Sequence, residues 1–509
     1  MTLQHPPRTA VRLSSTTWRA RAARGLPDDV RGPAVDPAAL GVGQVHLGIG
    51  AFHRAHQAVC TEDAAAATGE TGWGLLGVTQ RSPRVAEQLR PQDGLYGVLT
   101  VGADRTSLRV VGSVRDVAYP GRDTARVLDT IAAPTTHVVS LTVTEKGYRR
   151  RADGGLDVDA PDVAADLAAA RDELRGPSEA AARTPIGMLV RGLVRRHRTS
   201  PAPLTVVCCD NLTDNGAVLA GLVVRALAAV PGSDDVAAWV ATSVRFPATM
   251  VDRIVPATTD AHRAEAAGLL GLHDEALVVG EPFFQWVIED DFAGPRPAWE
   301  RAGATLTGDV APFERAKLRI LNATHSALAY HGALRGHATI AEAVADPDLE
   351  ALARALVDED VLPTLVAPPG TDLGAYRDEV LHRFANPRTG HTTVQVAMDG
   401  SQKLPVRLLG TVADRLAAGA VPHAAARAFA GWVAYVRAAT AGDLVVAGRP
   451  VTLDDPLAGV LADAVAGPDP VGRVFALRDV VPEPVASSTA FRDAVTAALR
   501  DLTPAPAAP

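Results

Sequence analysis

Lysine is almost missing from this chain. Of its 50 basic residues only Lys146, Lys317 and Lys403 are not arginine, and asparagine is confined to Asn211, Asn215, Asn322 and Asn386. Arginine serves wherever a surface needs only positive charge. A position that keeps lysine is therefore a candidate for something arginine cannot supply, a proton that burial can loosen toward neutral pH. Cysteine is limited to Cys60, Cys208 and Cys209. An odd count with no C-x-x-C pair excludes a disulfide framework and a zinc knuckle, and suits a reducing cytoplasm. Cys208 and Cys209 are adjacent at a strand end and point to opposite faces, which places at least one in a core. No run approaches the ~18 uninterrupted apolar residues of a membrane span. The Arg-rich first 37 residues contain no apolar stretch of signal-peptide length. A net charge of −8 makes the chain a poor candidate for binding nucleic acid or an anionic membrane.

What remains is an ordinary globular composition, 47% hydrophobic and 21% charged over 509 residues, enough for about two to four domains. From Val45 to Val279 short β-rich runs alternate with segments of helical period. Val45–Leu47, Gly74–Val78, Thr136–Val143 and Leu204–Cys209 read as buried strands; Ala165–Leu174 and Ala217–Val230 read as helices. Such alternation predicts a parallel sheet covered on both faces. Beyond Pro312 the strand signal fades. Phe313–Leu334, Leu349–Val361 and Ala424–Ala439 read as helices, with breaks at Pro368-Pro369-Gly370 and Asn386-Pro387. The expected organisation is an irregular arm over 1–42, an α/β Rossmann-like domain over 43–308, a mainly helical domain over 309–500 and a disordered tail over 501–509. No internal repeat is present.

Gly48 and Gly50 follow the first strong strand and precede a helix, in Val45-His-Leu-Gly-Ile-Gly-Ala-Phe-His-Arg-Ala-His56. In a dinucleotide fold the first glycine makes the turn and the second lets backbone amides approach a pyrophosphate. His53 stands where the third glycine of that fingerprint belongs, so spacing alone fits a structural turn equally well. After the next strand the sequence reads Thr79-Gln80-Arg81-Ser82-Pro83-Arg84, without the acidic residue that binds the adenosine ribose of NAD. Two arginines there also suit a 2′-phosphate or plain solvent exposure, leaving NAD and NADP both open.

Lys317, Asn322 and His325 lie on one predicted helix. At about 100° per residue, Asn322 falls roughly 140° round from Lys317 and His325 roughly 80°. The three fit one broad face. A desolvated lysine beside a histidine can act as a base near neutral pH, and an asparagine amide can donate to a developing alkoxide or a carbonyl oxygen. Glu314, one turn earlier, could relay the proton to solvent. A polar stripe that simply faces water is the competing reading.

Six collinear segments resemble the mannitol dehydrogenase and fructuronate reductase family, the polyol-specific long-chain dehydrogenases. They are Gly48–His56, Ser140–Tyr148, Cys209–Leu212, Phe246–Pro256, Glu281–Asp290 and Lys317–His325, and the resemblance runs from about residue 43 to 495. It implies metal-independent, nicotinamide-dependent alcohol–ketone interconversion. On matching positions Lys317 would be the base in oxidation and the acid in reduction. Asn211 and Asn322 would hold the reacting oxygen, and His325 would orient substrate and Lys317. Asp252 would support the site near the nicotinamide, while Gly48, Gly50, Phe52 and Arg54, with Arg81 beyond them, would line the cofactor site. The family usually carries Asn-Gly-Ser-His where this chain has Asn322-Ala-Thr-His325; both replacements are small and compatible with a helix.

Thr144-Glu-Lys146-Gly-Tyr148, Lys317-Leu-Arg319 and Met398–Arg407 look more like fructuronate reductases than mannitol 2-dehydrogenases, which tend to carry arginine where this chain has Gln395. A sugar acid brings a carboxylate, which extra cations would suit; Lys403 and Arg319 are the candidate contacts. The expected activity is therefore D-fructuronate/D-mannonate interconversion with NAD, or NADP, by a cytoplasmic monomer. D-mannitol/D-fructose or another polyol is the alternative substrate, and a non-catalytic nicotinamide-binding sensor the alternative class. A zinc mechanism through His53 and His56, or His325, His331 and His337, lacks any accompanying cysteine or H-E-x-x-H pattern.

Overall fold

The computed structural model describes residues 11–151 and 153–502. They fall into two compact units that divide between Val310 and Ala311. Residues 1–10 of the expected arm and 503–509 of the expected tail lie outside the described residues.

In the first unit six strands run parallel in one sheet: β1 (Val42–Leu47), β2 (Gly74–Val78), β3 (Val114–Ala118), β4 (Val138–Leu141), β5 (Leu204–Cys208) and β6 (Val244–Arg245). Their spatial order is β3-β2-β1-β4-β5-β6, the doubly wound dinucleotide order, with its reversal between β1 and β4. These strands are buried on both faces, which is why they read as near-continuous Val/Leu runs rather than alternating ones. On β2, Leu76 and Val78 pack with helices Pro120–Ala132, Pro161–Glu173, Pro185–Thr199 and Asn215–Ala228, while Leu75 packs with Ala55, Ala58 and Tyr96. Cys208 and Cys209 likewise enter two different cores.

Two features depart from the expectation. A four-stranded mixed sheet of Val30–Arg31, Thr106–Val111, Tyr96–Val101 and Val278–Gly280 interrupts the alternation, and a three-stranded sheet joins Thr249–Asp252, Gln285–Glu289 and Thr305–Thr307. The segment read as an irregular arm is also folded over 11–42. Helix Ser15–Ala22 starts with a Ser14/Thr17 capping box, the Leu13 amide donates to the His273 carbonyl while the Val11 carbonyl accepts from the His273 amide, and Leu13 is fully buried beside Val30 and Leu270. The Arg-rich composition concealed the few apolar side chains that anchor it.

The second unit is helical apart from a short hairpin, Val445–Val446 with Arg449–Pro450. Helices Ala323–Leu334 and His423–Ala441 form its centre. Tyr330 lies 5.5 Å from Tyr435, and Phe429 packs on Trp432, Phe475 and Phe491. Among the described residues three π-helical turns interrupt the α-helices, at Lys317–Asn322, Leu356–Val361 and Pro405–Leu409. Among the described residues no helix is long and apolar enough to cross a membrane.

Candidate active site

The turn after β1 is built around Gly48, whose φ of +100° lies in the region that favours glycine. A Cβ there would overlap the carbonyl oxygen of Thr142. Gly50 has an ordinary φ, and a Cβ on it would meet nothing nearer than the Gly48 oxygen at 3.8 Å; the space before it is open. Gly48, Ile49 and Gly50 spend their amides on the Val78 and Gly48 carbonyls. The amides available to an anion are thus those heading helix Ala51–Ala55, as at any helix start. Beside this turn a cleft is lined by Leu47, Val78, Thr79, Gln80, Pro120 and Met188. The Thr79 hydroxyl is buried there without a hydrogen-bond partner. A glycine turn, helix-start amides and an orphaned hydroxyl at the end of β2 fit a dinucleotide. Arg81 is exposed just beyond, and Phe52 is half-buried over His56, its ring centroid 5.0 Å away.

Arg54 braces this turn through its backbone. Its guanidinium is buried, donating to the carbonyls of Gly50 and Ala276 and lying over the Tyr96 ring. It ties the short helix to the neighbouring sheet, because burial of its long stem requires carbonyl acceptors for its donors.

His53, at the third-glycine position, stacks on His46 with ring centroids 3.3 Å apart. His46 bonds to Ser140 Oγ at 2.7 Å, Thr142 Oγ1 at 2.8 Å and the Gly48 carbonyl at 3.2 Å. Burial pushes the His46 pKa down to about 3, against a smaller upward pull from Gly48, and drives His53 down as well. Both rings are neutral in the native state. An unfolded chain takes up these protons as pH falls below about 6.5, whereas native His46 resists until about 3. Stability is therefore fully retained above 6.5 and lost progressively between those values. At pH 5 His46 alone should cost about 2 kcal/mol, lowering the Tm of a unit of this size by roughly 3 °C. Calorimetry of the parent and a His46→Gln variant checks this: the variant should lose less on acidification, and parallel pH profiles would refute it.

Two motif segments are locked together by a residue that sequence reading passed over. Asp210 accepts from the Val143 amide at 2.8 Å, the Thr144 amide at 2.9 Å and the Tyr148 hydroxyl at 2.6 Å. Asn215, 1% exposed, donates to the carbonyls of Asp210 and Thr249 and accepts from the Thr249 amide. It thereby holds the strand that ends in buried Asp252 against the turn that carries exposed Asn211. The scarcity of asparagine could have flagged Asn215. Asn386, the fourth, caps the turn Pro387–Thr389.

In the helical unit Lys317 is 7% exposed and opens a π-helical turn that Asn322 closes. An i→i+5 turn stacks residues five apart. It draws Asn322 toward the Lys317 side, instead of the wide offset expected of a regular α-helix. His325 stacks on Phe384 at 4.6 Å and faces His391 at 5.7 Å. Burial, then the charges of His391, Arg407, Lys403 and Arg383, hold its pKa well below 6.5. The ring is neutral, and its Nε2 is buried without a hydrogen-bond partner. Such a nitrogen is ready to bond a substrate hydroxyl. Glu314 lies half-buried on the preceding helix Ala311–Ala316. Among the described residues no group of three or more His, Cys, Asp or Glu side chains is placed to hold a metal ion.

Two expected substrate contacts have other work. Arg319 donates to Thr364 Oγ1 at 2.7 Å and Asp414 Oδ2 at 2.6 Å, tying the π-helical turn to neighbouring helices. Lys403 is half-buried, its ammonium on the Met398 carbonyl at 2.6 Å and the Val396 carbonyl at 3.4 Å. That anchors its tip beside the His325 cluster. Lys146 and Gln395 are exposed. Arg383 and His391, which sequence reading did not select, and Arg407, the last residue of the quoted Met398–Arg407 segment but given no role there, all act on His325; they come from separate helices and loops.

Models of the mannitol dehydrogenase Rossmann domain and C-terminal domain match residues 42–301 and 309–503. The chain is 43% identical to D-mannonate oxidoreductase of Escherichia coli K12 over 80% of its own length and 82% of that protein. It is 36% identical to mannitol 2-dehydrogenase of Pyrenophora tritici-repentis over 84% of this chain and 74% of that one. A solved ternary complex of Pseudomonas fluorescens mannitol 2-dehydrogenase with NAD and D-mannitol matches with a TM-score of 0.82, at 33% identity and 97% coverage of both chains.

Proposed function

The chain belongs to the mannitol dehydrogenase family, and from that membership we propose that it interconverts D-mannonate and D-fructuronate with NAD. The observation that carries the chemistry is one helical segment that bears buried Lys317 and Asn322 at the two ends of a π-helical turn and, three residues on, a neutral His325 whose Nε2 is buried without a hydrogen-bond partner. In oxidation Lys317 takes the hydroxyl proton as the hydride leaves the carbon; in reduction it returns that proton to the oxygen. The Asn322 amide donates to the oxygen as its charge develops, and His325 Nε2 holds a hydroxyl of the substrate. Glu314 passes the proton from Lys317 to solvent. NAD supplies or accepts the hydride when bound.

In the Rossmann unit the Gly48–Gly50 turn, Phe52, the helix-start amides and Thr79 would hold the dinucleotide, with Arg81 at the adenosine end. Asn211 and Asp252 are the Rossmann unit's own proposed site residues, their segments held in register by Asn215. Similarity to a D-mannonate oxidoreductase and the presence of Lys403 among the cations near His325 favour a sugar acid over a neutral polyol. A spectrophotometric screen with NAD(H) and NADP(H) tests this, using D-mannonate, D-fructuronate, D-tagaturonate, D-fructose, D-mannitol and D-arabinitol. We expect the highest kcat/KM on the D-mannonate/D-fructuronate pair with NAD(H). Strong activity on fructose with none on fructuronate would reverse the substrate assignment.

A further inference from the structure

One backbone conformation in the Rossmann unit is out of the ordinary. Asp93, Arg149 and Asp214, though not glycine, have positive φ and sit in the usual left-handed well, with ψ of 31°, 44° and 48°. Thr144 has φ +64° and ψ +160°. That region is essentially glycine's own, and a β-branched side chain suffers most in it. Tertiary bonds hold it there: the Asp210 carboxylate accepts from the Val143 amide at 2.8 Å and the Thr144 amide at 2.9 Å. The same carboxylate takes the Tyr148 hydroxyl at 2.6 Å, which closes the far end of the turn. A threonine that opens a helical turn usually spends its hydroxyl on an amide of that turn. Thr144 opens the turn Glu145–Tyr148 without doing so, and its side chain is exposed.

The surroundings give the distortion a use. Two residues earlier, the Thr142 hydroxyl donates to the Gly48 carbonyl at 2.8 Å. Three residues later, a Cβ on Gly147 would come 4.0 Å from Gln80 Oε1, and Gln80 lines the cofactor cleft. The loop that carries Thr144 therefore touches the glycine turn on one side and the cleft on the other. It leaves the carboxyl end of β4, the first strand past the reversal of sheet order. In a doubly wound dinucleotide fold that strand begins the half that takes the second mononucleotide, while the turn after β1 holds the pyrophosphate.

Resting on the reading of this unit as an NAD site, we propose that the Thr144 hydroxyl binds the nicotinamide-side ribose and that Asp210 is the positioning residue that holds Thr144 in place for it. Glycine would adopt this backbone without strain; the hydroxyl is what glycine cannot supply.

NADH fluorescence titration, calorimetric titration with ADP and melting curves of the full chain test the assignment. ADP carries the adenosine half and no nicotinamide-side ribose. Thr144→Gly should keep its Tm or gain up to about 3 °C as the strain is released. Its Kd for NADH should nevertheless rise roughly 3- to 10-fold, the worth of one hydrogen bond. Thr144→Val should lose as much affinity without the gain in Tm, and Thr144→Ser, which restores a hydroxyl, should recover most of it. ADP should bind all of them as it binds the parent. Asp210→Asn should weaken NADH binding in the parent and add little to the loss in Thr144→Val, because it acts through Thr144; additive losses would overturn the role of Asp210. An unchanged Kd for NADH in Thr144→Gly and Thr144→Val, or an equal loss for ADP, would overturn the role of Thr144 while leaving the NAD site standing. A parent that binds no NADH would instead overturn the NAD reading, and this assignment with it.

Discussion

Lys317→Ala should lower kcat by ~10³-fold, within the range that a positioned acid–base group contributes, while leaving NADH binding intact. The expectation comes from position. Lys317 is buried on a π-helical turn, and an alanine there has nothing with which to take the hydroxyl proton. Lys317→Arg should fail nearly as badly, because a guanidinium stays charged at any working pH and cannot alternate between acid and base. NADH fluorescence titration and a melting curve separate loss of chemistry from loss of fold. Small primary amines added to Lys317→Ala should restore measurable turnover by occupying the vacated space. Normal turnover in the alanine variant would defeat the mechanism.

The second large effect belongs to the other unit. Gly48→Ala forces a φ of +100° on a residue with a Cβ and drives that carbon into the Thr142 carbonyl. Backbone strain and overpacking together should cost about 2–5 kcal/mol, a drop in Tm of roughly 3–8 °C. Cofactor affinity should collapse as the turn is displaced. Gly50→Ala is the informative companion, because its Cβ meets only the Gly48 oxygen at 3.8 Å. Its fold should survive, so any loss of cofactor binding in it reports how closely the dinucleotide approaches that backbone. Equal Tm losses in the two variants would contradict the assignment of Gly48 as the turn-former.

How much of this was legible in the residues alone depends on the range of the forces involved. The parallel strands announced themselves because burial on both faces leaves an unbroken apolar run, and Gly74–Val78 was read to both its ends. The antiparallel strands Tyr96–Val101 and Thr106–Val111 carry polar residues such as Thr100, Ser107 and Arg109 on part of their length, which blurred the signal. The lysine count pointed to Lys317, since a residue retained against the drift of composition marks a requirement. Arg54 and Arg319 were read as ligand contacts because an arginine's type says nothing about which carbonyl or carboxylate folding will bring to it. Asp210 and Asn215 act by joining segments distant in sequence, a role no spacing reveals. The π-helical turn was also hidden: its apolar period differs from 3.6 over too few residues to detect.

That turn has a consequence for ancestry. A π-helical turn holds one residue more than the α-helix needs to cover the same rise, so losing that residue would restore the regular helix. Each added residue rotates one side of the helix against the other by about 100°. Here the far side is pinned, Tyr330 and His331 being buried in the helical core, so the rotation falls on the Lys317 side. Deleting a single codon between Lys317 and Asn322 would give a smoother helix and carry the amine away from His325. In a descendant of this chain such a deletion is expected to abolish turnover while nucleotide binding is kept.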